Sequence, residues 1–236
     1  MKDSSVIWMM LLAMLLSGCN STPDRNSPIK TRDFQVEDIA KSDVDIVAEI
    51  QLRYSMEYLQ ELMTKLYRRN PREWPKGGAE SIELAVDRVF GTTRDGLFPE
   101  LQGKRGSDSI SLAFDSAYSG DRVLAFSEGL RGMLLQAHNG KQSFYLTDEL
   151  DPQKLYNAAR NIEIAIWKLS HDRDSDGQLF LISNATEGPV NNLSYERLFG
   201  KLIALQDSMA RIVAQSSNRK IKTIIQSVAS AVFMPI

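Results

Sequence analysis

The sequence is poor in the residues that most often identify a reaction. It contains one cysteine, Cys19, and two histidines, His138 and His171. A single cysteine excludes a fold that is held together by internal disulfides. Both histidines close segments with helical spacing, and the negative end of a helix dipole favours an imidazolium there without any catalytic role. The scarcity of these residues argues against a thiol enzyme and against a histidine-rich metal centre.

Common catalytic motifs and strong charge are also absent. There is no H-E-x-x-H and no G-x-S-x-G, and the Gly-Lys pairs at 103, 140 and 200 lack the glycine pattern of a P-loop. The 28 basic and 30 acidic residues leave a net charge of −2. A nearly neutral chain gives no electrostatic indication of nucleic-acid binding. With 43% apolar residues, the chain is instead expected to fold around a hydrophobic core.

The N-terminus carries the most specific pattern. Met1-Lys2 leads into an apolar run from Val6 to Leu16, and a polar stretch with two prolines follows over residues 20–28. Eleven helical residues span about 16 Å, which is roughly half of the ~30 Å hydrocarbon core of a bilayer. Such a run suits the apolar region of a signal peptide better than a permanent membrane span.

The run ends in Leu16-Ser17-Gly18-Cys19, which resembles the lipobox of bacterial lipoproteins. The resemblance implies that residues 1–18 are a signal peptide and that Cys19 becomes the acylated first residue. Several acyl chains, each adding about 0.8 kcal/mol per buried methylene, give a stable membrane anchor. In the sorting rule that this pattern resembles, Asp after the cysteine retains the protein at the inner membrane. Asn20 therefore implies the periplasmic face of the outer membrane, with the inner membrane, a secreted form or an uncleaved anchor as alternatives.

The mature chain is expected to form one folded domain behind a tether. Residues 19–36 are the acylated cysteine and a polar tether that reaches about 56 Å when extended. Residues 37–236 form the domain, a size that suits one hydrophobic core. Apolar residues recur there at helical intervals, and Ser42, Asp121 and Asp151-Pro152 are typical helix starts. The fold class is therefore mainly α, a single-domain helical bundle.

The helical segments are unequal in length. The pattern predicts helices from Ser42 to Asn70, Ala79 to Phe90, Asp121 to His138, Asp151 to about Ser170, Leu193 to about Gln215, and Ile221 to Phe233. The last two are predicted to be separated by a break at Ser216-Ser217-Asn218. Residues 143–147 and 178–183 are rich in aromatic and branched side chains and could pair as a small two-stranded β-ribbon. Gly129 and Gly132 each cost up to about 1 kcal/mol inside a helix, which indicates a close helix crossing.

One loop resembles a calcium site. Asp172, Asp174 and Asp176, followed by Gly177, match the D-x-D-x-D-G opening of an EF-hand loop, in which alternate carboxylates converge on a hard cation. The match fails at the twelfth position, where Ser183 replaces a bidentate acid. A solvated polar turn explains the same residues through their preference for turn geometry. No cofactor is therefore required, and Ca²⁺ remains one alternative.

A basic segment with an aromatic residue follows the first helix. Arg68, Arg69, Arg72 and Trp74 could bind an envelope protein, peptidoglycan or lipid headgroups through phosphate and cation–π contacts. The alternative is structural, because bases favour helix C-termini and a tryptophan can anchor a loop.

These features favour a non-catalytic function. The sequence predicts a lipid-anchored cell-envelope protein that acts as an adaptor, assembly or tethering subunit, held to the membrane by acyl chains on Cys19. No catalytic residue is assigned. The alternatives are a periplasmic enzyme acting on cell-wall or envelope polymers, with carboxylates that only the fold brings together, and a calcium-stabilised binding module.

Overall fold

The computed structural model describes residues 35–91, 98–184 and 192–232, with side chains up to Ser217. The chain divides at Ser42 into two units, of which the first is described only from Gln35. That stretch contains a 3-10 helix, Val36–Ala40, which is capped by a hydrogen bond of 2.9 Å from the Gln35 amide to Asp38 Oδ2. Residues 1–34, including Cys19 and Asn20, lie outside the description.

The second unit, Asp43–Ile236, is helical. It contains helices α1 (Asp43–Arg69), α2 (Ile82–Phe90), α3 (Gly106–Leu112), α4 (Arg122–Ala137), α5 (Pro152–His171) and α6 (Ser194–Val232), with 3-10 turns at Trp74–Gly77 and Pro99–Leu101. The prediction of a mainly helical single domain is confirmed. No described helix combines the length and the apolar character that crossing a bilayer needs.

Helix starts follow the capping residues in the sequence. Ser81, Asp121 and Asp151 each cap a helix by accepting a hydrogen bond from a backbone amide of its first turn. Because the first amides of a helix have no partner inside it, such side chains fix where the helix begins. The starts at Asp121 and Asp151 and the end of α1 before Asn70-Pro71 are as the sequence predicts.

Helix α4 is the centre of the bundle. It contacts α1, α3 and α5, and it is buried on nearly all sides. A helix that is apolar around its whole circumference must be enclosed by others, which explains its position. The Phe126 ring packs edge-on against Phe114 at 5.8 Å and Phe199 at 6.3 Å between centroids, which joins α4 to the segment after α3 and to α6.

The two long helices α1 and α6 pack together over a partly polar interface. The Gln51 amide donates to Ser208 Oγ and the Gln206 amide to Ser55 Oγ, both at 3.3 Å, and Tyr195 donates to the Lys65 carbonyl at 2.8 Å. Ser55 and Gln206 are completely buried. Helix α6 also packs closely on α5, so it covers two sides of the bundle.

The structure differs from the sequence prediction at α6 and at the two segments of the predicted β-ribbon. Helix α6 continues through Ser216-Ser217-Asn218 instead of breaking there. The Ser217 hydroxyl donates to the Val213 carbonyl at 3.1 Å, so this residue is accommodated within the helix. The β-ribbon is not confirmed: the described part of the chain has no sheet, and an isolated antiparallel bridge joins Arg173 to Leu179.

Candidate functional site

A cleft of about 920 Å³ opens beside the middle of α4. Its lining comes from the 3-10 turn Pro99–Leu101 and the loop that follows it, from α4, and from the turn after α4 and the start of α5. This volume is in the range of small-molecule sites. The lining residues are Phe98, Pro99, Leu101, Gly103, Lys104, Arg105, Gly106, Glu128, Arg131, Gly132, Leu135, Gln136, Asn139, Gly140 and Lys154.

The close approach of α3 to α4 shapes this cleft. A Cβ on Gly129 would lie 2.7 Å from the Ile110 amide and 2.8 Å from the Gly106 carbonyl, so the two helices cross with backbone contact. A Cβ on Gly132 would meet only the Gly106 amide, at 3.7 Å, an ordinary contact. The predicted close crossing is therefore confirmed at Gly129, while Gly132 lines the cleft.

A buried arginine forms part of the cleft lining. Arg131 is only 3% exposed, and its Nη1 donates to both carboxylate oxygens of Glu128 at 3.1 Å. Burying a guanidinium is costly unless it is paired, so Glu128 both neutralises and orients it. The described contacts of Arg131 use Nη1 alone, which leaves Nε and Nη2 as donors for a ligand.

Three exposed cations surround this pair. Lys104 and Arg105 lie in the loop before α3 and Lys154 lies in the first turn of α5. Within the described ranges no carboxylate pairs with any of them; Lys154 Nζ is 3.5 Å from Asn139 Oδ1. The cleft is thus lined by four cations and one carboxylate, although the whole chain is slightly acidic.

Part of the cleft wall is apolar. Phe98 and Leu101 come from the segment before the basic loop, and Leu135 comes from α4. Phe98 and Leu101 are largely buried, and both belong to the hydrophobic core. The same cleft therefore offers cations and a rigid apolar surface to a ligand.

A second polar cluster lies at the N-terminal end of α4. The Asp121 carboxylate is 1% exposed; Oδ1 accepts from the Leu124 amide at 2.9 Å and Oδ2 from the Tyr67 hydroxyl at 2.7 Å. Burial raises the pKa of Asp121 above its usual value, and nearby Glu73 adds to this effect. Burial and the charge of Asp121 also raise the pKa of Tyr67 far above its usual range and that of Tyr118 to about 12.

The other charges of this cluster are held by short contacts. Glu73 binds Lys76 Nζ at 2.7 Å and the Arg122 amide at 2.8 Å. Arg88 binds Glu100 Oε1 at 2.6 Å and the Gly77 carbonyl at 2.7 Å. These contacts fix the two 3-10 turns against α2 and α4. The cluster is explained as internal structure, because its acids are engaged and Asp121 has almost no access to solvent.

The chain was compared with protein-family models, with curated proteins and with solved structures, and none of the three gave a significant match. The function is therefore inferred from the sequence, the fold and the cleft alone.

The predicted calcium loop forms a hydrogen-bonded turn. Asp172 Oδ2 accepts from Lys168 at 2.9 Å, and Asp174 Oδ1 accepts from the amides of Asp176 and Gln178 at 3.0 and 2.9 Å. No three acid, histidine or cysteine side chains among the described residues are placed to hold one metal ion. The geometry gives the calcium prediction no support, and the turn chemistry of Asp and Gly accounts for the sequence pattern.

The predicted basic patch is partly exposed. Arg68, Arg69 and Arg72 are exposed, while Trp74 is half-buried and packs against the core. Arg68 borders a shallow groove of about 450 Å³ whose other charged residues are Glu57, Glu61 and Lys65. The core contact of Trp74 is compatible with the structural alternative, and Trp74 and the three arginines remain a predicted partner surface without a deep cavity.

The two histidines differ in environment. His138 is fully buried beside Phe144, and burial lowers its pKa although it lies at a helix end. Its Nδ1 is 2.9 Å from the Leu134 carbonyl, which assigns the proton to that nitrogen. His171 is exposed and stacks on Trp167 at 4.8 Å. At His138, burial thus lowers the pKa more than the hydrogen bond to the Leu134 carbonyl raises it, so the structure favours the neutral imidazole there.

Sequence reasoning missed the cleft. Lys104 and Arg105 lie between the helices predicted from the sequence, and Arg131 is 26 positions after Arg105. The available signals were the Gly103-Lys104-Arg105-Gly106 sequence and an arginine, Arg131, inside the predicted helix from Asp121 to His138. Neither signal indicates a site until α3 folds against α4.

Proposed function

We propose that this protein is a lipid-anchored cell-envelope protein that acts non-catalytically, as an adaptor, assembly or tethering subunit that holds an envelope component in the cleft. The observation that carries the proposal is a group of exposed cations, Lys104, Arg105 and Lys154, which line the same cleft as the buried Arg131 and pair with no carboxylate among the described residues. Unpaired charges that line a preformed cavity attract a ligand of opposite charge. The lipobox resemblance at Cys19 and Asn20 supports an anchor in the outer membrane, with the inner membrane as the alternative.

The position of Asp121 outside the cavity and the pairing of Glu128 with Arg131 inside it favour binding over catalysis. Hydrolysis of an envelope polymer would require a carboxyl group with a raised pKa in an open pocket. Asp121 has the raised pKa but is buried at the end of α4, whereas the cleft carboxylate, Glu128, is engaged by Arg131. The periplasmic enzyme therefore stays a second hypothesis without an observation of its own.

The binding role can be tested by site-specific crosslinking in cells. A photoreactive amino acid replaces Gln136, an exposed residue of the cleft, and in a control strain it replaces Gln60, an exposed residue of the α1 groove. We expect a reproducible adduct from position 136 and none from position 60. Mass spectrometry of the adduct identifies the component as protein, lipid or glycan.

Two outcomes would contradict the proposal. An adduct from position 60 alone would move the binding surface to the basic end of α1, near Arg68. Equal and diffuse labelling from both positions would mean that the cleft holds no specific component.

The anchor is tested separately. Cys19→Ser removes the only thiol that an acyl chain could occupy, so we expect the variant to lose incorporated palmitate and to leave the membrane fraction. Retention of the variant in washed membranes, without palmitate, would contradict the lipid anchor.

A further inference from the structure

The charges of the cleft indicate the charge of its ligand. Lys104, Arg105 and Lys154 are exposed and have no carboxylate partner within the described ranges. Arg131 has more hydrogen-bond donors than its contact with Glu128 uses. An excess of three positive charges among the described residues that line one cavity is best compensated by a group that carries more than one negative charge.

The buried arginine adds geometric selectivity. Glu128 holds the Arg131 guanidinium through Nη1, so the planar group is fixed before a ligand arrives. A fixed guanidinium donates two parallel hydrogen bonds to a phosphate or a carboxylate. Since the side chain is already desolvated and oriented, little conformational freedom is lost on binding.

We propose that the cleft binds a phosphate ester, with Arg131 contacting the phosphoryl oxygens and Lys104, Arg105 and Lys154 surrounding the charge. This inference rests on the proposed use of the cleft as a binding site. A phosphate monoester carries about −1.5 to −2 charge at neutral pH and three acceptor oxygens, whereas a carboxylate carries one charge and two oxygens. Four cations arranged around one cavity match the phosphate better.

The apolar wall accommodates the organic part of the ester. Phe98, Leu101 and Leu135 lie in the same cavity as the cations, and its volume of about 920 Å³ exceeds what a phosphate group alone would fill. The ester can belong to a lipid headgroup or to a water-soluble molecule such as a sugar phosphate. Both present the same phosphoryl group to Arg131, and they differ in what meets the apolar wall.

The test uses the full acylated protein in nanodiscs of zwitterionic phosphatidylcholine. Hexyl phosphate and glycerol 3-phosphate are titrated calorimetrically, with succinate as a dicarboxylate probe. The cleft variant is Lys104→Gln/Arg105→Gln/Lys154→Gln, and all three positions are exposed, so folding is expected to be retained. The control variant, Arg53→Gln/Arg197→Gln/Arg211→Gln, removes three exposed charges from α1 and α6, outside the cleft and outside the predicted basic patch.

We expect the wild type and the control variant to bind a phosphate ester with equal Kd, and the cleft variant to bind at least about tenfold more weakly. Tighter binding of hexyl phosphate would assign the phosphate to a lipid, and tighter binding of glycerol 3-phosphate would assign it to a water-soluble ester. Absence of binding, equal weakening in both variants, or succinate binding as tight as the phosphate esters would overturn the proposal.

The inference can fail while the proposed function stands. A specific in-cell adduct at position 136 together with no phosphate binding would leave the cleft as a binding site for another ligand class. Phosphate binding by the purified protein without any adduct in cells would support the phosphate site and contradict the proposed function as a holder of an envelope component.

Discussion

The crossing of α3 and α4 predicts opposite effects for the same substitution three residues apart. Gly129→Ala places a methyl group 2.7 Å from the Ile110 amide and 2.8 Å from the Gly106 carbonyl. Gly132→Ala places the methyl group at 3.7 Å from its nearest neighbour, which is normal van der Waals contact. Both substitutions lie inside α4, so their effects on the unfolded chain are nearly the same.

The magnitudes follow from helix propensity and from overpacking. Alanine is favoured over glycine in a helix interior by about 1 kcal/mol. At position 132 this gain is retained, so we expect the free energy of unfolding to rise by about 0.5–1 kcal/mol. At position 129 the obstacle is backbone, which cannot rotate away, and overpacking of a core typically costs about 1–3 kcal/mol. With a cost near the upper end, Gly129→Ala is expected to lose about 2 kcal/mol net.

The comparison is made by urea unfolding and by thermal melting, both followed by far-UV circular dichroism. A difference of about 3 kcal/mol between the two variants corresponds to roughly 6–12 °C in Tm for a domain of this size. If Gly129→Ala proves as stable as Gly132→Ala, α3 does not approach α4 as closely as described. That result would also remove the basis for the shape of the cleft.

Three further predictions concern buried charge and the aspartate loop. Tyr67→Phe leaves Asp121 Oδ2 without its buried donor, so we expect urea unfolding to show a loss of about 1–3 kcal/mol, and no loss would mean that the 2.7 Å bond is not formed. Burial raises the pKa of Asp121, so the folded state binds a proton more readily than the unfolded state. The stability of the wild type therefore falls as pH rises from the ordinary pKa of an aspartate to the raised pKa of Asp121. Asp121→Asn lacks this titration, so its stability relative to wild type should increase as pH rises through that range; an unchanged difference would refute the assignment. Calorimetric titration with Ca²⁺ should give no heat in the wild type or in Asp174→Ala, and heat that disappears in the variant would restore the calcium hypothesis.

Much of the helical architecture could be predicted because it depends on local chemistry. Asp is a preferred N-cap residue, so Asp121 and Asp151 mark helix starts without any knowledge of the packing. Asn70-Pro71 ends α1 because the residue before a proline disfavours the helical conformation. The apolar residues that recur at helical intervals between Asp121 and His138 indicate a helix there through their spacing alone. Such signals lie within one segment, so no knowledge of the packing is needed to interpret them.

The errors arose where a local preference is weak. Ser216, Ser217 and Asn218 have only moderate helix propensity, and the cost of keeping them helical is a few tenths to about 0.7 kcal/mol each. The continuing α6 overcomes this cost, with the Ser217 hydroxyl returning a hydrogen bond to its own helix. The β-ribbon was inferred from composition, which does not determine whether two segments meet.

The cleft could not be predicted from the sequence because it depends on distant segments. Its cations come from a loop, from the middle of α4 and from the start of α5. Their separation in sequence hides the local excess of positive charge, which the net charge of −2 averages away. Only the packing of α3 on α4, which Gly129 permits, brings these residues to one cavity.

The pairing of α1 with α6 determines the order in which the domain can be completed. Gln51 and Ser208 are 157 residues apart, whereas Ser109 and Ala125, which join α3 to α4, are 16 apart. Short loops close faster and with less loss of entropy, so the α3–α4 pair can form early and the α1–α6 interface forms late. A chain whose synthesis stops before residue 194 would leave the α6-facing side of α1, including Ser55, open to solvent. Such a product is expected to be a substrate for proteases and not a smaller working domain.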